Sequence, residues 1–167
     1  EIRQLKMLFN RTVDGVVMFA TKMTKEELDE LSSNYNIAIC CEAVENAETL
    51  TVRIDDEKAS FDAVKALIEK GHTKIGLICA NFQVKSSSDR ENGYRRALAE
   101  YNIPIDESYI YKNDYSFKSG SDAAEYFLNL PEPPTAIFAI SDIHAMGAIN
   151  KAISLGINVG KELAIIG

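Results

Sequence analysis

Polar and aromatic side chains follow four of the short apolar runs in this sequence of 167 residues, at the points where strands would end. Because the carboxyl ends of parallel strands meet at one edge of a sheet, such side chains would surround a single small ligand. Carboxylates and arginine bond strongly to hydroxyl groups, and a tyrosine ring stacks on the flat face of a sugar or base. The sequence therefore predicts a site for a polyhydroxylated small molecule. Its candidate residues are Asp55, Ser86, Arg90, Tyr115, Ser141 and Asp142.

Several of these candidates also have a purely structural interpretation, because serine and aspartate are preferred at the amino termini of helices. Asp55, Asp142 and the serines at 86–88 could each cap a helix rather than contact a ligand. Arg90 is different, since a cation in the first turn of a helix opposes the helix dipole and is better explained by a bound partner. Both interpretations stay open for the capping residues, and Arg90 is the principal predicted contact.

Catalysis and metal binding are not indicated by any motif in the sequence. There is no Walker-type phosphate loop, no dinucleotide-binding glycine pattern, no nucleophile elbow and no HExxH zinc motif. The adjacent residues Cys40 and Cys41 should face opposite sides of a strand, so they should not bind one metal ion together. We interpret them, with Cys79, as buried core residues. The sequence predicts neither an enzyme nor a protein that holds a metal or another cofactor.

Composition narrows the range of partners and compartments. The chain has 18 basic and 25 acidic residues and a net charge of −7, which disfavours nucleic-acid binding by this stretch alone. Its longest apolar runs, such as 16–20 and 37–41, are far shorter than the ~20 residues that cross a bilayer, so no membrane contact is expected. An odd number of cysteines in apolar surroundings predicts reduced thiols and a cytoplasmic protein. The first residues contain no recognisable signal peptide.

Short β-branched apolar runs alternate with amphipathic stretches along the whole chain. This alternation is typical of βα units on a parallel sheet, and strands that are apolar on both sides indicate helices on both faces of that sheet. The sequence therefore predicts an α/β fold. The predicted strands are 14–19, 37–41, 50–54, 74–79, 109–113, 135–140 and 162–166.

The boundaries of the helices are marked by capping residues. Thr24 and Glu27 are the two ends of a capping box at the start of one helix. Asp55 or Asp56 opens the next helix, and Gly71 ends that helix in a left-handed conformation. The other predicted helices are an amphipathic one at 2–9 and three more at 88–101, 118–130 and 142–155.

The order and spacing of several short motifs resemble the effector-binding core of the LacI/GalR family of bacterial transcription regulators. Each motif is weak alone, but together they extend over nearly the whole chain. They are VDGVV at 13–17, VRID at 52–55, ALIEKGHTKIG at 66–76, RENGYRRAL at 90–98, NDYSFKSG at 113–120, PPTAIFA at 133–139, SD at 141–142 and ELAIIG at 162–167.

This resemblance implies an α/β fold of the periplasmic-binding-protein-like type I, with two lobes that each contain a parallel sheet flanked by helices. It implies that residues 1–54 are part of the N-lobe and that residues 55–167 are most of the C-lobe. The DNA-binding headpiece of a full family member would be absent from this chain. Both ends would be cut, since the chain begins within a predicted helix and ends at Gly167, directly after a predicted strand.

The resemblance also implies a function. The chain would be the effector-binding and dimerisation core of a DNA-binding transcription regulator, which senses a small sugar or nucleoside in the cleft between its lobes. Arg90 and Ser86, one helical turn apart, are most like the effector contacts of the family, and Tyr115 matches its aromatic position. Ser141 stands where the family often has asparagine, and a Ser-Asp pair is similar to nucleoside-responsive members. Asp55 would lie at the crossover between the lobes.

Further partners follow from the same resemblance. Family members form homodimers through the first helix of the N-lobe and the helix after Ser141, which implies an interface near Leu5, Met146 and Ile149. Operator DNA would be bound by the headpiece. The alternative is a periplasmic sugar-binding protein that serves a transporter. The sequence upstream of Glu1 would decide between them, because a regulator would have a helix-turn-helix there and a transport protein a signal peptide.

Overall fold

The chain divides into two compact units in the computed structural model, Glu1–Asp55 and Asp56–Gly167. The structure describes residues 2–19, 21–81 and 84–167. The last residue of the apolar run 16–20 therefore lies outside the described residues.

The first unit is a three-stranded parallel sheet with two helices packed on one face. The strand order is β1-β2-β3. Leu5 and Leu8 of the first helix and Leu28 of the second are buried against Ile37 and Ile39 of the central strand. The elements are α1 (Ile2–Phe9), β1 (Gly15–Met18), α2 (Lys25–Asn34), β2 (Asn36–Cys40) and β3 (Leu50–Val52).

Among the described residues of this unit, none forms a helix on the opposite face of the sheet. Val17, Leu50 and Val52 lie on that face and are 58%, 67% and 61% exposed. The pairing of Cys40 with Val52 places Cys40 on the same face, where it is partly buried. The sequence predicted strands covered on both sides. In this unit the structure differs, because the apolar faces of both helices pack on the side of Ile39.

The second unit is a three-layer α/β structure around a parallel sheet with the order β5-β4-β6-β7. Two helices, α3 and α4, cover one face, where Tyr94 is buried and its hydroxyl donates to the Ile75 carbonyl at 2.8 Å. Two more, α5 and α6, cover the other face around Phe127 and Ile137. The elements are α3 (Asp56–Glu69), β4 (Ile75–Ala80), α4 (Lys85–Glu100), a 3-10 turn (Glu107–Tyr109), β5 (Ile110–Asn113), α5 (Phe117–Leu128), β6 (Ala136–Ala139), α6 (Asp142–Ser154) and β7 (Ala164–Ile166).

Glycines allow the paired helices of the second unit to approach backbone to backbone. A Cβ atom at Gly93 of α4 would lie 2.3 Å from the Glu57 carbonyl oxygen of α3. A Cβ atom at Gly147 of α6 would lie 2.0 Å from the Phe117 carbonyl oxygen of α5. Real Cβ atoms do not approach so closely, so only glycine fits at these crossings. The two contacts fix α4, which carries Arg90, and α6, which carries His144, against their neighbours.

All seven predicted strands are confirmed, and the predicted helices are found within three residues of their expected starts. The capping box at Thr24 and Glu27 is present, and Gly71 has the expected left-handed conformation, with φ of 94°. The capping predictions fail in two places. Helix α4 begins at Lys85 after Val84, which makes no side-chain cap, so the serines at 86–88 lie inside its first turn. The cap of α6 is Ser141, and Asp142 is the first residue of that helix.

The interpretation of Cys40 and Cys41 as buried residues on opposite faces is wrong. Strand β2 ends at Cys40, and Cys41 has a left-handed backbone with φ of 65°, which breaks the alternation of side chains. Cys41 is exposed, Cys40 is partly buried, and their sulfur atoms are 3.5 Å apart. Cys79 alone is in the core, 1% exposed. The argument from buried thiols to compartment therefore holds only for Cys79.

Leu5 is also not where the sequence analysis expected it. Its side chain is 4% exposed and belongs to the core of its own unit, so it offers no surface to a second copy. The exposed apolar side chains of α1 are Met7 and Phe9, at 47% and 43%. Among the helices in the described part of the chain, none combines the length and the hydropathy needed to cross a bilayer.

Candidate functional site

Three connections at the carboxyl edge of the second sheet bring polar side chains together. Strand β4 is followed by α4 with Arg90, β5 is followed by Tyr115, and β6 is followed by Ser141. The strands are parallel and neighbouring, in the order β5-β4-β6, so their carboxyl ends lie side by side. This is the edge at which open α/β sheets bind ligands.

Arg90 is held in place by three groups. Its Nε donates to Asp56 Oδ1 at 2.8 Å, and its Nη1 donates to the Ile140 carbonyl at 2.5 Å. The same Nη1 lies 3.5 Å from the Tyr115 hydroxyl oxygen, at the long limit of a hydrogen bond. Asp56 is 4% exposed, so the ion pair it forms is largely withdrawn from water.

Charge at this position is stabilised in spite of burial. Desolvation disfavours the guanidinium, but the hydrogen bond and the negative charge of Asp56 outweigh it, and the pKa of Arg90 is raised. A guanidinium has five N–H donors. Among the described residues, none accepts a hydrogen bond from Nη2 of Arg90. With respect to the described residues, the side chain is thus a fixed cation whose Nη2 group can donate to a further acceptor.

Tyr115 and His144 form an aromatic pair beside Arg90. Their ring centroids are 5.0 Å apart at an angle of 48°. Tyr115 is 51% exposed, whereas His144 is fully buried beneath it. The Asp114 carbonyl can only accept, so His144 Nε2 donates to it at 2.9 Å and carries the proton. The Nδ1 atom is buried without a partner in the described structure. His144 therefore holds the loop that presents Tyr115.

Ser141 joins the same group of contacts through its capping role. Its hydroxyl oxygen accepts the backbone N–H of His144 at 3.4 Å, which fixes the first turn of α6. The cap leaves the hydroxyl proton of Ser141 unused, so this side chain can still donate a hydrogen bond. The structural and the ligand-binding interpretations of Ser141 are therefore compatible.

The other predicted residues are placed more loosely. Ser86 lies one turn before Arg90 on the same side of α4 and is partly buried. Asp142 is exposed at the first position of α6, beside Gly167. Asp55 is exposed and belongs to the first unit. Their contact with a ligand stays a prediction, as it does for Arg90, Tyr115 and Ser141.

Sequence reasoning missed two residues of this site. Asp56, rather than Asp55, supplies the carboxylate that pairs with Arg90. The sequence signal for it was the Asp-Asp pair at the start of α3, but the pair alone did not indicate which of the two carboxylates is buried. His144 gave no signal, because a histidine in the first turn of a helix has no expected burial. Among the described residues, no three His, Cys, Asp or Glu side chains form a metal-binding cluster.

Comparison with known proteins places this architecture in a family. Residues 64–167, more than half of the chain, match the family described as periplasmic binding protein-like domain. The chain belongs to that family. The resemblance of this chain to LacI-type regulators is confirmed both by relatives of similar sequence and by solved structures of similar fold.

Two curated relatives match this chain over nearly its full length. Catabolite control protein A of Priestia megaterium is 35% identical over 169 residues, which are 100% of this chain and 51% of the relative. The HTH-type transcriptional repressor CytR of Escherichia coli K12 is 34% identical over 164 residues, 98% of this chain and 48% of the relative. The chain therefore spans about half the length of the curated relatives it matches.

Solved structures of LacI-family regulators have the same fold as this chain. A sugar-binding transcriptional regulator of the LacI family from Escherichia coli, complexed with phosphate, has a TM-score of 0.83 and 25% sequence identity. The match covers 99% of this chain and 61% of that chain. The α/β fold with parallel sheets flanked by helices, expected from the sequence, is thus the fold of this family.

Proposed function

We propose that this chain is the effector-binding and dimerisation core of a DNA-binding transcription regulator, and that its effector is a small sugar or nucleoside. The proposal rests on Arg90, whose guanidinium is held by the buried carboxylate of Asp56 and still has N–H groups that can donate to a ligand. The half-exposed ring of Tyr115 lies next to it. Two relatives, a catabolite control protein and a transcriptional repressor, support a regulatory rather than an enzymatic role.

In this proposal each side chain has one task. Arg90 donates hydrogen bonds to hydroxyl or ring oxygens of the effector, and Tyr115 stacks on its flat face. Ser86, Ser141 and Asp142 supply further polar contacts along the same sheet edge. Residues 1–54 are part of the N-lobe and residues 55–167 most of the C-lobe. Binding changes the preferred arrangement of the whole regulator and thereby its affinity for operator DNA.

Among possible effectors, a nucleoside is favoured over a simple hexose. A half-exposed tyrosine ring suits a base, and Ser141, whose hydroxyl oxygen is already the α6 cap, offers less to a sugar than an asparagine amide would. Calorimetric titration of the chain with ribonucleosides, ribose and hexoses tests this. We expect saturable 1:1 binding of a ribonucleoside and weaker binding of the sugars. If none of these compounds binds, the proposal is contradicted.

His144 offers a prediction about how the ring is positioned. Replacing His144 by leucine removes the ring beneath Tyr115 and the hydrogen bond to the Asp114 carbonyl. An aromatic pair contributes about 1 kcal/mol, so nucleoside affinity should fall roughly fivefold. The matched control is His72→Leu, since His72 precedes β4 at the opposite edge of the sheet. An equal loss in both variants, measured by calorimetry, would remove the role of His144.

Self-association is proposed through α6. Met146 and Ile153 are 56% and 61% exposed, Ile143 is 37% exposed and Ile149 is partly buried, so α6 presents an apolar surface. In α1, the exposed Met7 and Phe9 replace Leu5 in the proposed interface.

A charge in this surface should prevent dimerisation, because the centre of an interface tolerates few charged residues. We expect Met146→Asp to sediment as a folded monomer with an unchanged circular dichroism spectrum, whereas the unchanged chain sediments as a dimer. Met146→Gln, which is of similar size and uncharged, is the control and should remain largely dimeric. A dimeric Met146→Asp variant would place the interface elsewhere.

Binding to operator DNA implies a cytoplasmic protein, and this is part of the proposal. The alternative, a periplasmic sugar-binding protein for a transporter, receives less support, since the curated relatives at 34–35% identity are a control protein and a repressor. Electrophoretic mobility shifts with a longer version of the protein, which includes the residues before Glu1, would distinguish the two. A regulator retards its operator in an effector-dependent manner, and a transport protein does not.

A further inference from the structure

Two adjacent thiols lie side by side at the carboxyl end of β2. The sulfur atoms of Cys40 and Cys41 are 3.5 Å apart, and the two residues are not joined by a disulfide. They belong to the first unit and share no residue with the site around Arg90. The site proposed above therefore leaves them unexplained.

The backbone holds the two thiols in this arrangement. Cys40 is paired with Val52 in the parallel ladder, and the N–H of Cys41 donates to the Val52 carbonyl at 2.9 Å. Cys41 has φ of 65°, a conformation that residues other than glycine rarely adopt. This conformation turns the second side chain back toward the first. The pair is thus fixed by the sheet before any ligand arrives.

The separation suits one atom that bridges both sulfurs. An atom that forms bonds of about 2.3 Å to sulfur, as zinc does, would span 3.5 Å with a sulfur–centre–sulfur angle of roughly 100°. A direct disulfide fits less well, because Cα atoms of adjacent residues are about 3.8 Å apart and disulfides usually need about 4.4–6.8 Å. The geometry favours chelation over oxidation.

The atom that bridges the two sulfurs must need no more than two protein ligands. Zinc in structural sites takes four protein ligands and in catalytic sites three. In the ranges that the structure describes, no cluster of three His, Cys, Asp or Glu residues is present. A trivalent arsenical that carries one organic group needs only two sulfurs to complete its coordination. Such a thiophilic compound therefore matches this pair better than a divalent metal ion.

We propose that Cys40 and Cys41 form a bidentate site for a trivalent arsenical. With a monosubstituted arsenic oxide, two arsenic–sulfur bonds form and the arsenic–oxygen bond breaks. The oxygen leaves as water with the two thiol protons, and arsenic stays trivalent throughout. No oxidant or reductant is required. The site adds a thiophile-binding function to the first unit and does not depend on the proposed effector.

Cys79 provides an internal control for selectivity. It is 1% exposed in the core of the second unit. Burial raises the pKa of its thiol to about 12, so at pH 7.5 it stays protonated and unreactive. Cys41 is exposed, so the pair is open to a reagent in the folded chain. Arsenic should therefore reach Cys40 and Cys41 without reaching Cys79.

The test is titration of the folded chain with phenylarsine oxide at pH 7.5. We expect one phenylarsenic group per chain in the intact mass and loss of two of the three titratable thiols. Cys40→Ser and Cys41→Ser should each weaken binding at least 100-fold, because a single thiol forms only one bond. Cys79→Ser, the matched control, should bind as the unchanged chain does, and circular dichroism checks that each variant is folded.

Three outcomes would overturn the proposal. They are an unmodified chain at equimolar reagent, consumption of only one thiol, and tight binding that persists in Cys41→Ser. Stoichiometry on the unchanged chain decides even if a serine variant fails to fold. Arg90→Ala should leave the arsenical titration unchanged. The arsenical titration therefore tests the thiol site alone, and a negative result there would leave the proposed effector site untouched.

Discussion

Arg90→Ala is expected to weaken effector binding tenfold or more and to destabilise the second unit at the same time. Hydrogen bonds to a charged group contribute about 1.5–3 kcal/mol, and about 1.4 kcal/mol corresponds to tenfold in affinity. The destabilisation arises because Asp56 would lose its partner while it remains 4% exposed. Removing one member of a buried ion pair costs about 3–5 kcal/mol. A quarter of the Arg90 side chain is exposed, so roughly 2–3 kcal/mol is expected here.

A second variant separates the two effects. In the double variant Arg90→Ala with Asp56→Asn, the uncompensated carboxylate is replaced by a neutral amide, so most of the lost stability should return. Nucleoside binding should not return, since the guanidinium is still missing. Calorimetry measures the affinity and urea denaturation the free energy of unfolding. Equal affinity of Arg90→Ala and the unchanged chain for the best-binding ribonucleoside would refute the assignment of Arg90.

Much of the second unit is predictable because burial on both faces leaves a simple pattern in the sequence. Strands β4 and β6 are continuous apolar runs, and their predicted limits agree with the structure to one residue. The first unit is less predictable. Val17, Leu50 and Val52 are as apolar as core residues, yet they lie on an exposed face. Side-chain type alone does not state which face of a sheet a helix will cover.

The candidate site was predictable where it depends on sheet topology. Parallel strands bring the ends of β4, β5 and β6 together, and this rule alone placed Arg90, Tyr115 and Ser141 near one another. It could not identify Asp56 or His144. Their burial depends on contacts with residues 30 or more positions away in the chain, Arg90 and Asp114 respectively. Local patterns carry no information about such contacts.

The prediction that Cys40 and Cys41 are buried on opposite faces of a strand was wrong for a different reason. The rule that adjacent residues on a strand face opposite ways is sound, but it requires both residues to be on the strand. Strand β2 ends at Cys40, and a single left-handed residue at Cys41 reverses the direction of the next side chain. The positive φ angle of Cys41 therefore places the two sulfur atoms close together, and a cysteine in the sequence does not predict such a backbone conformation.

Gly93→Ala is the second variant with a large expected effect, because this glycine explains the Arg-x-x-Gly spacing. Residues three apart lie on the same side of a helix, so Gly93 and Arg90 both face α3. The added methyl group would lie 2.3 Å from the Glu57 carbonyl oxygen and 2.8 Å from the Phe61 nitrogen. Both are backbone atoms of α3, so no side-chain rotation can relieve the overlap, and the two helices must move apart.

The expected result of Gly93→Ala is a loss of both stability and binding. Overpacking costs about 1–3 kcal/mol, and a backbone clash belongs at the upper end of that range. Alanine gains about 1 kcal/mol in helix propensity, so a net loss of roughly 2 kcal/mol remains. Because Asp56 and Arg90 sit one turn from this crossing on α3 and α4, their ion pair should loosen and nucleoside affinity should fall about tenfold, or ~1.4 kcal/mol.

Two controls isolate the crossing from general effects of the substitution. Asn92→Ala changes the exposed neighbour on the same helix and should leave stability and affinity almost unchanged. Gly156→Ala has space around its Cβ but a left-handed backbone, with φ of 81°, so it should cost about 1–2 kcal/mol without any change in affinity. If Gly93→Ala lowers stability but binds nucleoside as the unchanged chain does, the close approach of α3 and α4 serves packing alone, and Arg90 is positioned by Ile140 and Tyr115 instead.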